Sequence, residues 1–476
     1  MNADWPEFQL GSRCSVKSSK RIFAKEYVEN GIPFFRSKDV IDKSFGTFSH
    51  YDLFISEVRY QEIKETHGSP SKGDLLISSV GNRSGLPYVV QDEGDFYFKD
   101  GNILWLSEFE DINSDYLAYW FKSDLGQETL TSVMIGSAQK ALTIDAIRKL
   151  WVKLPPIEYQ NKAADVLKAL DDKIELNRQT NQTLEQIAQA IFKSWFVDFE
   201  PVKAKIAAKQ AGATSEQIQR AAMCAISGKS LEALEQLSPE TLQQLKTTAA
   251  LFPDALVESE LGEIPDGWGV KVVGDACITT DFVANGSFKS LKDNVNLYDE
   301  PNDVLYVRTT DFNKGFSNDL KYTDLESFAF LKKSKLYGRE TIISNVGDVG
   351  TVFRAPVWLG LPMTLGSNAV ALISEKYSSY IFWLFRSYEG QNLLQSIVTG
   401  SAQLKFNKTN LRSLKIVWPD EGLLAAFEDL EMTFNEKFNA LRKETDNLVM
   451  VKDSLLPKLL SGELEVNQSL KEVVNG

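Results

Sequence analysis

The chain carries one stretch twice, and this internal repeat constrains its fold more than any other feature. Residues 136–155 read GSAQKALTIDAIRKLWVKLP, and residues 400–419, which begin 264 positions later, read GSAQLKFNKTNLRSLKIVWP. Three earlier pairs follow in the same order: IPFFRSKD with VLYVRTTD, LLISSVG with TIISNVG, and YLAYWFKS with YIFWLFRS. Self-similarity of this kind indicates a repeated structural unit. The sequence therefore predicts one architecture built twice.

The first part of each repeat is globular and spans residues 1–155 and 264–420. Short apolar or alternating runs such as DLLISSV and DVLYVRT are separated by Gly, Asn, Asp and Ser. This pattern is typical of short strands joined by turns. One aromatic helix is expected in each part, near 114–124 and 378–388. We predict an α+β fold with two strand-rich globular domains.

A long helix follows each globular part, over residues 156–200 and 421–462. Apolar residues recur there at spacings of three and four, which defines one helix face, and Pro201 and Pro457 are expected to end the helices. Two such rods bury their apolar stripes against each other, so we predict an antiparallel coiled coil with a pseudo-two-fold axis between the repeats. Asn177 and Asn181 either fix the register of the pair or are tolerated polar positions. The expected seam residues are Leu170, Ile174, Asn177, Asn181, Leu184, Ile187, Ile191, Phe434, Phe438, Leu441, Leu448, Val451 and Leu455.

Two segments lie outside the repeat. Residues 201–263 are rich in Ala, Gln, Lys and Glu and predict a helical insertion, while residues 463–476 form a polar tail that is expected to fray.

Composition narrows the class of protein. No apolar run approaches the roughly 20 residues that span a bilayer, and no secretory signal is present at the start, so we expect a cytoplasmic protein without a membrane partner. The three cysteines form no CxxC and there are two histidines, which argues against a zinc site. The net charge of −13 argues against a generally sticky nucleic-acid binder, but most of the excess acid lies outside the globular parts.

Local basic clusters in both globular parts, set among Ser, Thr, Asn and Gln, suit contacts to DNA phosphates and base edges. A solvated charged surface is the alternative interpretation of each cluster, and the recurrence of such clusters in both repeats favours DNA. The candidate contacts in the first repeat are Arg13, Lys17, Lys20, Arg21, Arg36, Lys38, Asn82, Arg83, Ser137, Gln139 and Lys140. Those in the second are Arg308, Thr310, Lys332, Lys333, Lys335, Arg339, Asn345, Arg354, Gln403, Lys405, Lys408 and Arg412.

Signals for catalysis are weak. Asp52, Glu62 and Lys64 loosely imitate the acidic cluster of a metal-dependent nuclease, which is the alternative function. GKS at 228–230 lacks the earlier glycine of a phosphate-binding loop, because Met223 stands there. We expect no catalytic centre and no metal site in this chain.

Several long stretches resemble the specificity (S) subunits of type I restriction-modification enzymes. They are GSAQ with its following strand in both halves, PPIEYQNKAADVLKALDDKIELNRQTNQTLEQIAQAIFKSWFVDFEP at 155–201, LFPDALVESELGEIPDGW at 251–268 and LLPKLLSGELEV at 455–466. The first repeat begins at DWPEFQLG, without the longer IPDGWGVKVVGD that opens the second repeat.

The resemblance implies two target recognition domains, at 1–155 and 264–420, that each read one half of a split, asymmetric site in double-stranded DNA. It implies that the two long helices dock two methylation (M) subunits, which bind S-adenosylmethionine and modify adenine. Restriction (R) subunits, which use ATP and Mg, are implied as further partners. The chain itself is then expected to supply specificity and scaffold, without a cofactor of its own.

Overall fold

The computed structural model describes residues 5–48, 50–81, 83–136, 140–400 and 403–465. These residues form two compact units, one from the described parts of Met1–Asn177 and Thr445–Gly476 and the other from Arg178–Glu444. Among the described residues, no helix has both the length and the apolar run that a bilayer span requires.

The first unit contains the first globular domain. Its strands are β1 (Glu7–Gln9), β2 (Ser15–Lys17), β3 (Tyr27–Val28), β4 (Ile32–Phe35), β5 (Phe54–Ile55), β6 (Leu75–Ser78), β7 (Pro87–Val89), β8 (Tyr97–Phe98), β9 (Ile103–Ser107) and β10 (Trp151–Lys153). Its short helices are α1 (Ser37–Ser44), α2 (Glu57–His67), α3 (Ser114–Lys122), α4 (Asp124–Ser132) and α5 (Ile144–Arg148). The long α6 (Ile157–Phe192) begins in this unit.

The second unit begins with the remainder of α6 and continues into the insertion, whose helices are α7 (Glu200–Gln210), α8 (Ser215–Ser227), α9 (Leu231–Leu234) and α10 (Pro239–Ala250). The strands that follow are β11 (Leu256–Ser259), β12 (Gly262–Pro265), β13 (Gly269–Val272), β14 (Ile278–Asp281), β15 (Val304–Val307), β16 (Lys321–Thr323), β17 (Lys335–Leu336), β18 (Thr341–Ser344), β19 (Val352–Phe353), β20 (Met363–Leu365), β21 (Ala369–Ile373) and β22 (Lys415–Trp418). The later helices are α11 (Val273–Ala276), α12 (Phe288–Asn294), α13 (Thr309–Asn313), α14 (Leu325–Phe330), α15 (Ser378–Arg386), α16 (Tyr388–Ser396), α17 (Lys408–Arg412) and α18 (Glu421–Ser461), which extends into the first unit.

The two globular domains share a sheet plan. Antiparallel sheets have the orders β2-β9-β6-β7 and β14-β21-β18-β19, and β1 pairs with β10 as β13 pairs with β22. A second sheet in each domain contains a parallel pair, β4 with β8 and β15 with β20. The fold is α+β, with strand-rich domains and long helices as predicted. The hairpin of β11 and β12 precedes the second copy of this plan.

Buried apolar strands explain where the cores lie. Every residue of β6 and β9 is buried in the first domain, and every residue of β15, β18 and β20 in the second. Burial on both faces favours continuous apolar runs such as VLYV over alternating ones. Helices α3 and α15 pack their aromatic residues against these sheets.

A helix turn between α3 and α4, repeated between α15 and α16, depends on glycine. A Cβ placed on Gly126 would lie 1.9 Å from the carbonyl oxygen of Trp120, and one on Gly390 would lie 1.9 Å from that of Leu384. No side chain fits at such a distance, so both repeats need glycine at this turn.

Parts of the two long helices pack antiparallel within each unit. In the first unit, the Tyr159 hydroxyl donates to the carbonyl oxygen of Leu459 at 3.1 Å, and Lys452 pairs with Asp171 at 2.7 Å. In the second unit, Phe192 packs against Phe427 with ring centroids 5.8 Å apart. Asn181 Nδ2 donates to the carbonyl oxygen of Phe438 at 3.3 Å. In each unit, residues later in α6 contact residues earlier in α18, so the two helices run antiparallel.

The expected seam needs correction at two equivalent positions. Ile187 and Val451 are 41% and 42% exposed, because the buried stripe of α6 runs instead through Ala188 and Phe192. The buried members of the expected set are Leu170, Ile174, Asn177, Asn181 and Leu441, and the half-buried ones are Leu184, Ile191, Phe434, Phe438, Leu448 and Leu455.

Neither proline ends a long helix. Helix α6 ends at Phe192 and passes into a π-helical turn over Lys193–Val197, and Phe199 has a left-handed backbone (φ 53°). Pro201 lies in the first turn of α7, where its missing N–H costs no hydrogen bond. Pro457 lies inside α18, at an exposed position where water can solvate the carbonyl of the preceding turn.

Candidate DNA interface

Five segments of the first domain meet where β2, β4, β6 and β8 end. Ser18 Oγ accepts from Gly101 N at 3.3 Å, and Ser37 Oγ donates to the carbonyl oxygen of Asn102 at 2.9 Å. The same carbonyl accepts from Ser79 N at 2.9 Å. We call the segments 18–21, 36–38, 79–81, 99–102 and 140–142, together with Arg83, the first strand-end face.

The second domain brings the equivalent segments together at the ends of β14, β15, β18 and β20. Gly366 N donates to the carbonyl oxygen of Val307 at 2.8 Å, and Asn345 N donates to that of Asn368 at 3.0 Å. These bonds join the loops that follow three of the strands. We call the segments 281–285, 308–310, 345–350, 366–368 and 403–408 the second strand-end face.

The repeated GSAQ stretch leads to the same hydrogen bond in both faces. Leu142 N donates to the carbonyl oxygen of Ser79 at 2.8 Å, and Phe406 N donates to that of Asn345 at 3.1 Å. The segment after GSAQ is therefore anchored to the loop after β6 in one domain and after β18 in the other. Three predicted contacts, Asn82, Ser137 and Gln139, lie outside the described residues.

Unpaired cationic side chains supply positive charge to these faces. Seven of the predicted residues are exposed and form no salt bridge with any described residue: Lys20, Lys38, Arg83, Lys140, Lys332, Lys333 and Lys405. Lys332 and Lys333 follow α14 and join the second face, because Lys333 N donates to Asn285 Oδ1 at 2.8 Å. Thr310 and Gln403 are also exposed there. Exposed ammonium and guanidinium groups around polar loops fit phosphate contacts.

Other predicted cations on the faces are already paired. Arg21 Nε lies 3.4 Å from Asp100, and Lys408 Nζ lies 2.7 Å from Asp281. Their charge is balanced within the domain, so DNA would have to compete with a carboxylate for each of them.

Two arginines at strand ends hold the backbone of the faces. Arg36 N donates to Asp39 at 2.6 Å and Arg308 N donates to Asp311 at 3.1 Å, and both arginine side chains return to the same carboxylates. Asp39 and Asp311 are 4% and 1% exposed. Hydrogen bonding to Asp52 is the main reason that the pKa of Arg36 is raised. Both arginines lie on the faces, but each is tied into a buried cap.

Several predicted contacts lie away from the faces. Arg354 is the clearest correction, since its side chain is 10% exposed and pairs with Glu431 of α18 at 2.8 Å. Arg339 precedes β18, at the opposite end from the face, and pairs with Glu428 of α18. Four further predicted cations contact groups of their own domain. Arg13 pairs with Asp111, Lys17 lies over the Trp105 ring, Lys335 lies over the Phe328 ring, and Arg412 packs against Gly274.

The nuclease alternative is not supported by the structure. Asp52 accepts from Arg36, which lowers the pKa of its carboxyl. Glu62 pairs with Arg59 at 3.0 Å and Lys64 pairs with Asp95 at 3.1 Å, so the three residues serve three separate ion pairs. Within the described ranges, no group of three or more His, Cys, Asp or Glu residues is placed to hold a metal ion.

Sequence reasoning missed two exposed lysines beside the second face, Lys289 and Lys292 of α12. A basic run without acid is the signal that marks such a patch, and Asp293 interrupts this one.

Comparison with known proteins agrees with this architecture. The family described as the type I restriction modification DNA specificity domain matches residues 2–186. The specificity subunit of the type I restriction enzyme HindI from Haemophilus influenzae is 29% identical and aligns with 97% of this chain and 100% of its own length. That of MjaIX from Methanocaldococcus jannaschii is 26% identical over 93% of this chain and 89% of its own length.

A solved structure shows the same fold. The S subunit of a type I restriction-modification system from M. genitalium superposes with a TM-score of 0.58 at 12% identity, covering 97% of each chain. The family match over residues 2–186 and the relatives aligned over nearly their whole length make this chain similar to the specificity subunits of type I restriction-modification enzymes, and the solved structure shows that it shares the fold of one such subunit.

Proposed function

We propose that this chain selects the DNA sequence for a type I restriction-modification complex, and that each strand-end face reads one half of a bipartite, asymmetric site. The supporting observation is the pair of faces closed by the same hydrogen bonds and bordered by exposed cations. Phosphate contacts would position each domain, and the polar loops between the cations would reach base edges.

The partners and cofactors of the complex are part of this proposal. Two methylation subunits would dock on the long helices and bring S-adenosylmethionine, and restriction subunits would bring ATP and Mg. The chain would work in the cytoplasm on double-stranded DNA. It would contribute recognition and scaffold.

The long helices would set the number of unread base pairs between the two halves of the site. Removing Arg178–Asn181 from α6 and Arg442–Thr445 from α18 takes equivalent residues from both repeats. Four residues shorten a helix by about 6 Å, the length of roughly two base pairs. A shorter spacer with both flanking words unchanged is the expected result. The control replaces the exposed Thr183 by Ala and keeps the length.

The test is methylome sequencing of a host that expresses this chain with its methylation subunits. The wild type should methylate adenine in a two-part motif, and the shortened variant should methylate the same words with a smaller gap. Absence of methylation that depends on this chain, or new words in the shortened variant, would overturn the proposal. The purified chain with Mg alone should leave DNA uncut.

A further inference from the structure

Each globular domain exposes a phenylalanine ring beside its strand-end face. Phe288, the first residue of α12, is 82% exposed, and Phe23, which follows β2, is 55% exposed. Both lie in the segment that leads from the first strand of one sheet to the next sheet. A large ring left in water in the same connection of both domains is more specific than a single exposed apolar residue.

The segments that carry these rings are fixed to the domains. Ile22, which precedes Phe23, and Leu291, which follows Phe288 by three residues, are 5% and 4% exposed. Lys20 N donates to the Tyr97 hydroxyl at 2.7 Å, next to the end of β8. The backbone that carries each ring is therefore anchored to its domain.

The ring of the second domain is also linked to its face. Asn285 Nδ2 donates to Ser334 Oγ at 2.8 Å, and the carbonyl of Ser334 accepts from Leu365 N, the last residue of β20, at 2.8 Å. Phe288 follows Asn285 by three residues. The segment that carries Phe288 therefore begins at the loops that form the second strand-end face.

Cations surround both rings. Lys20, Arg21 and Lys25 border Phe23, and the Arg21 guanidinium lies 5.7 Å from the ring centroid. Lys289 and Lys292 border Phe288, and both are exposed. Proteins that insert apolar side chains between base pairs also use Arg and Lys to contact the same DNA.

We propose that Phe23 and Phe288 each wedge into one base step of the half-site read by their own domain. This inference rests on the proposed function. The ring would unstack the step, and the adjacent lysines would bind the flanking phosphates. Sequences that unstack easily, such as pyrimidine–purine steps, would then be favoured at that position.

The experiment uses the chain in complex with its methylation subunits and a duplex that carries the site found by methylome sequencing. 2-Aminopurine replaces one adenine at a time, and its fluorescence rises when its neighbours unstack. Wild type should raise the fluorescence at one step in each half-site. Phe288→Ala should abolish the rise in one half and weaken binding about tenfold or more, while Phe23→Ala should act in the other half. Phe288→Leu should retain part of the effect.

Tyr337→Ala is the matched control, because Tyr337 is 75% exposed but precedes β18, away from the second face. It should change neither fluorescence nor affinity. Unchanged fluorescence and affinity in both Phe→Ala variants would overturn the wedge, as would weaker binding with the fluorescence rise intact. A wild-type complex that binds no DNA would instead overturn the proposed function.

Discussion

A buried ion pair joins the second domain to α18. We predict that losing one partner of this pair lowers the free energy of unfolding far more than replacing both partners by apolar residues. Arg354 and Glu431 are 2.8 Å apart with side chains 10% and 4% exposed, and Glu431 also accepts from Ser379 Oγ at 2.5 Å. Replacing Glu431 by Leu leaves a buried guanidinium without its charge partner. Losing one partner of such a pair costs about 3–5 kcal/mol of the free energy of unfolding.

The first repeat supplies the compensating change. Val89 of β7 corresponds in register to Arg354, and Leu167 lies 264 residues before Glu431. Both belong to one apolar cluster in the first unit, at 8% and 0% exposure. The double variant Arg354→Val with Glu431→Leu should therefore recover most of the loss. It should stay about 1–2 kcal/mol below wild type, because the Ser379 hydroxyl and the Trp383 Nε1 group lose their acceptor.

Urea denaturation of the full chain, followed by tryptophan fluorescence, measures these differences. Trp383 is a suitable reporter, since its Nε1 donates to Glu431 at 3.3 Å. The control is Asp145→Asn, which removes the exposed pair with Lys149 (73% and 68% exposed side chains) and should change stability by less than about 1 kcal/mol. The reasoning is refuted if Glu431→Leu costs no more than this control, or if the double variant loses as much as the sum of its single variants.

Three further outcomes are expected. Replacing both Lys332 and Lys333 by Ala should weaken DNA binding by the assembled complex on all sequences alike and lower the slope of log K against log salt by about one to two, since each phosphate contact contributes about 0.9. Burial raises the pKa of the Cys14 and Cys277 thiols to about 12, so at pH 8 only about one molecule in ten thousand holds either as thiolate, and both should resist a thiol reagent until the chain is denatured. Gly390→Ala should lower the thermal midpoint by several degrees, because its Cβ would lie 1.9 Å from a carbonyl oxygen.

Each of these outcomes has a matched control. Lys246→Ala removes an exposed lysine from the insertion and should leave the salt slope unchanged. Cys224 is half-buried and should react first in the native chain. Gly269→Ala adds a Cβ with no heavy atom within 4 Å and should leave the thermal midpoint near wild type. An equal effect of any control and its test variant would contradict the corresponding argument.

Sequence reasoning predicted the duplicated α+β plan because the pattern of buried strands is local. The run LLIS of β6 and its counterpart TIIS of β18 are each buried throughout, and their apolar character alone marks them. The ends of the long helices were harder to predict from the sequence. Pro201 occurs at the start of a helix as readily as at the end of one, and only the π-helical turn before it shows which applies.

Charge patterns in the sequence do not distinguish free cations from paired ones. Arg36 and Arg308 each precede an aspartate by three residues, RSKD and RTTD, and this spacing signals a backbone cap in both repeats. Arg354 has no such local signal, because its partner Glu431 lies 77 residues further along the chain. Long-range pairing of this kind is invisible to any local pattern.

The two faces share their frame but differ in chemistry, and this difference favours unlike half-sites. The hydrogen bond from Leu142 to Ser79 returns between Phe406 and Asn345. At the exposed positions beside it, however, Lys140 of the first face corresponds to Leu404 of the second. Base edges are read by the donors and acceptors presented to them, so a cation and an apolar side chain at matching places select different bases. The two words of the methylated motif should therefore differ, and a palindromic motif would show that the frame, rather than these side chains, determines what is read.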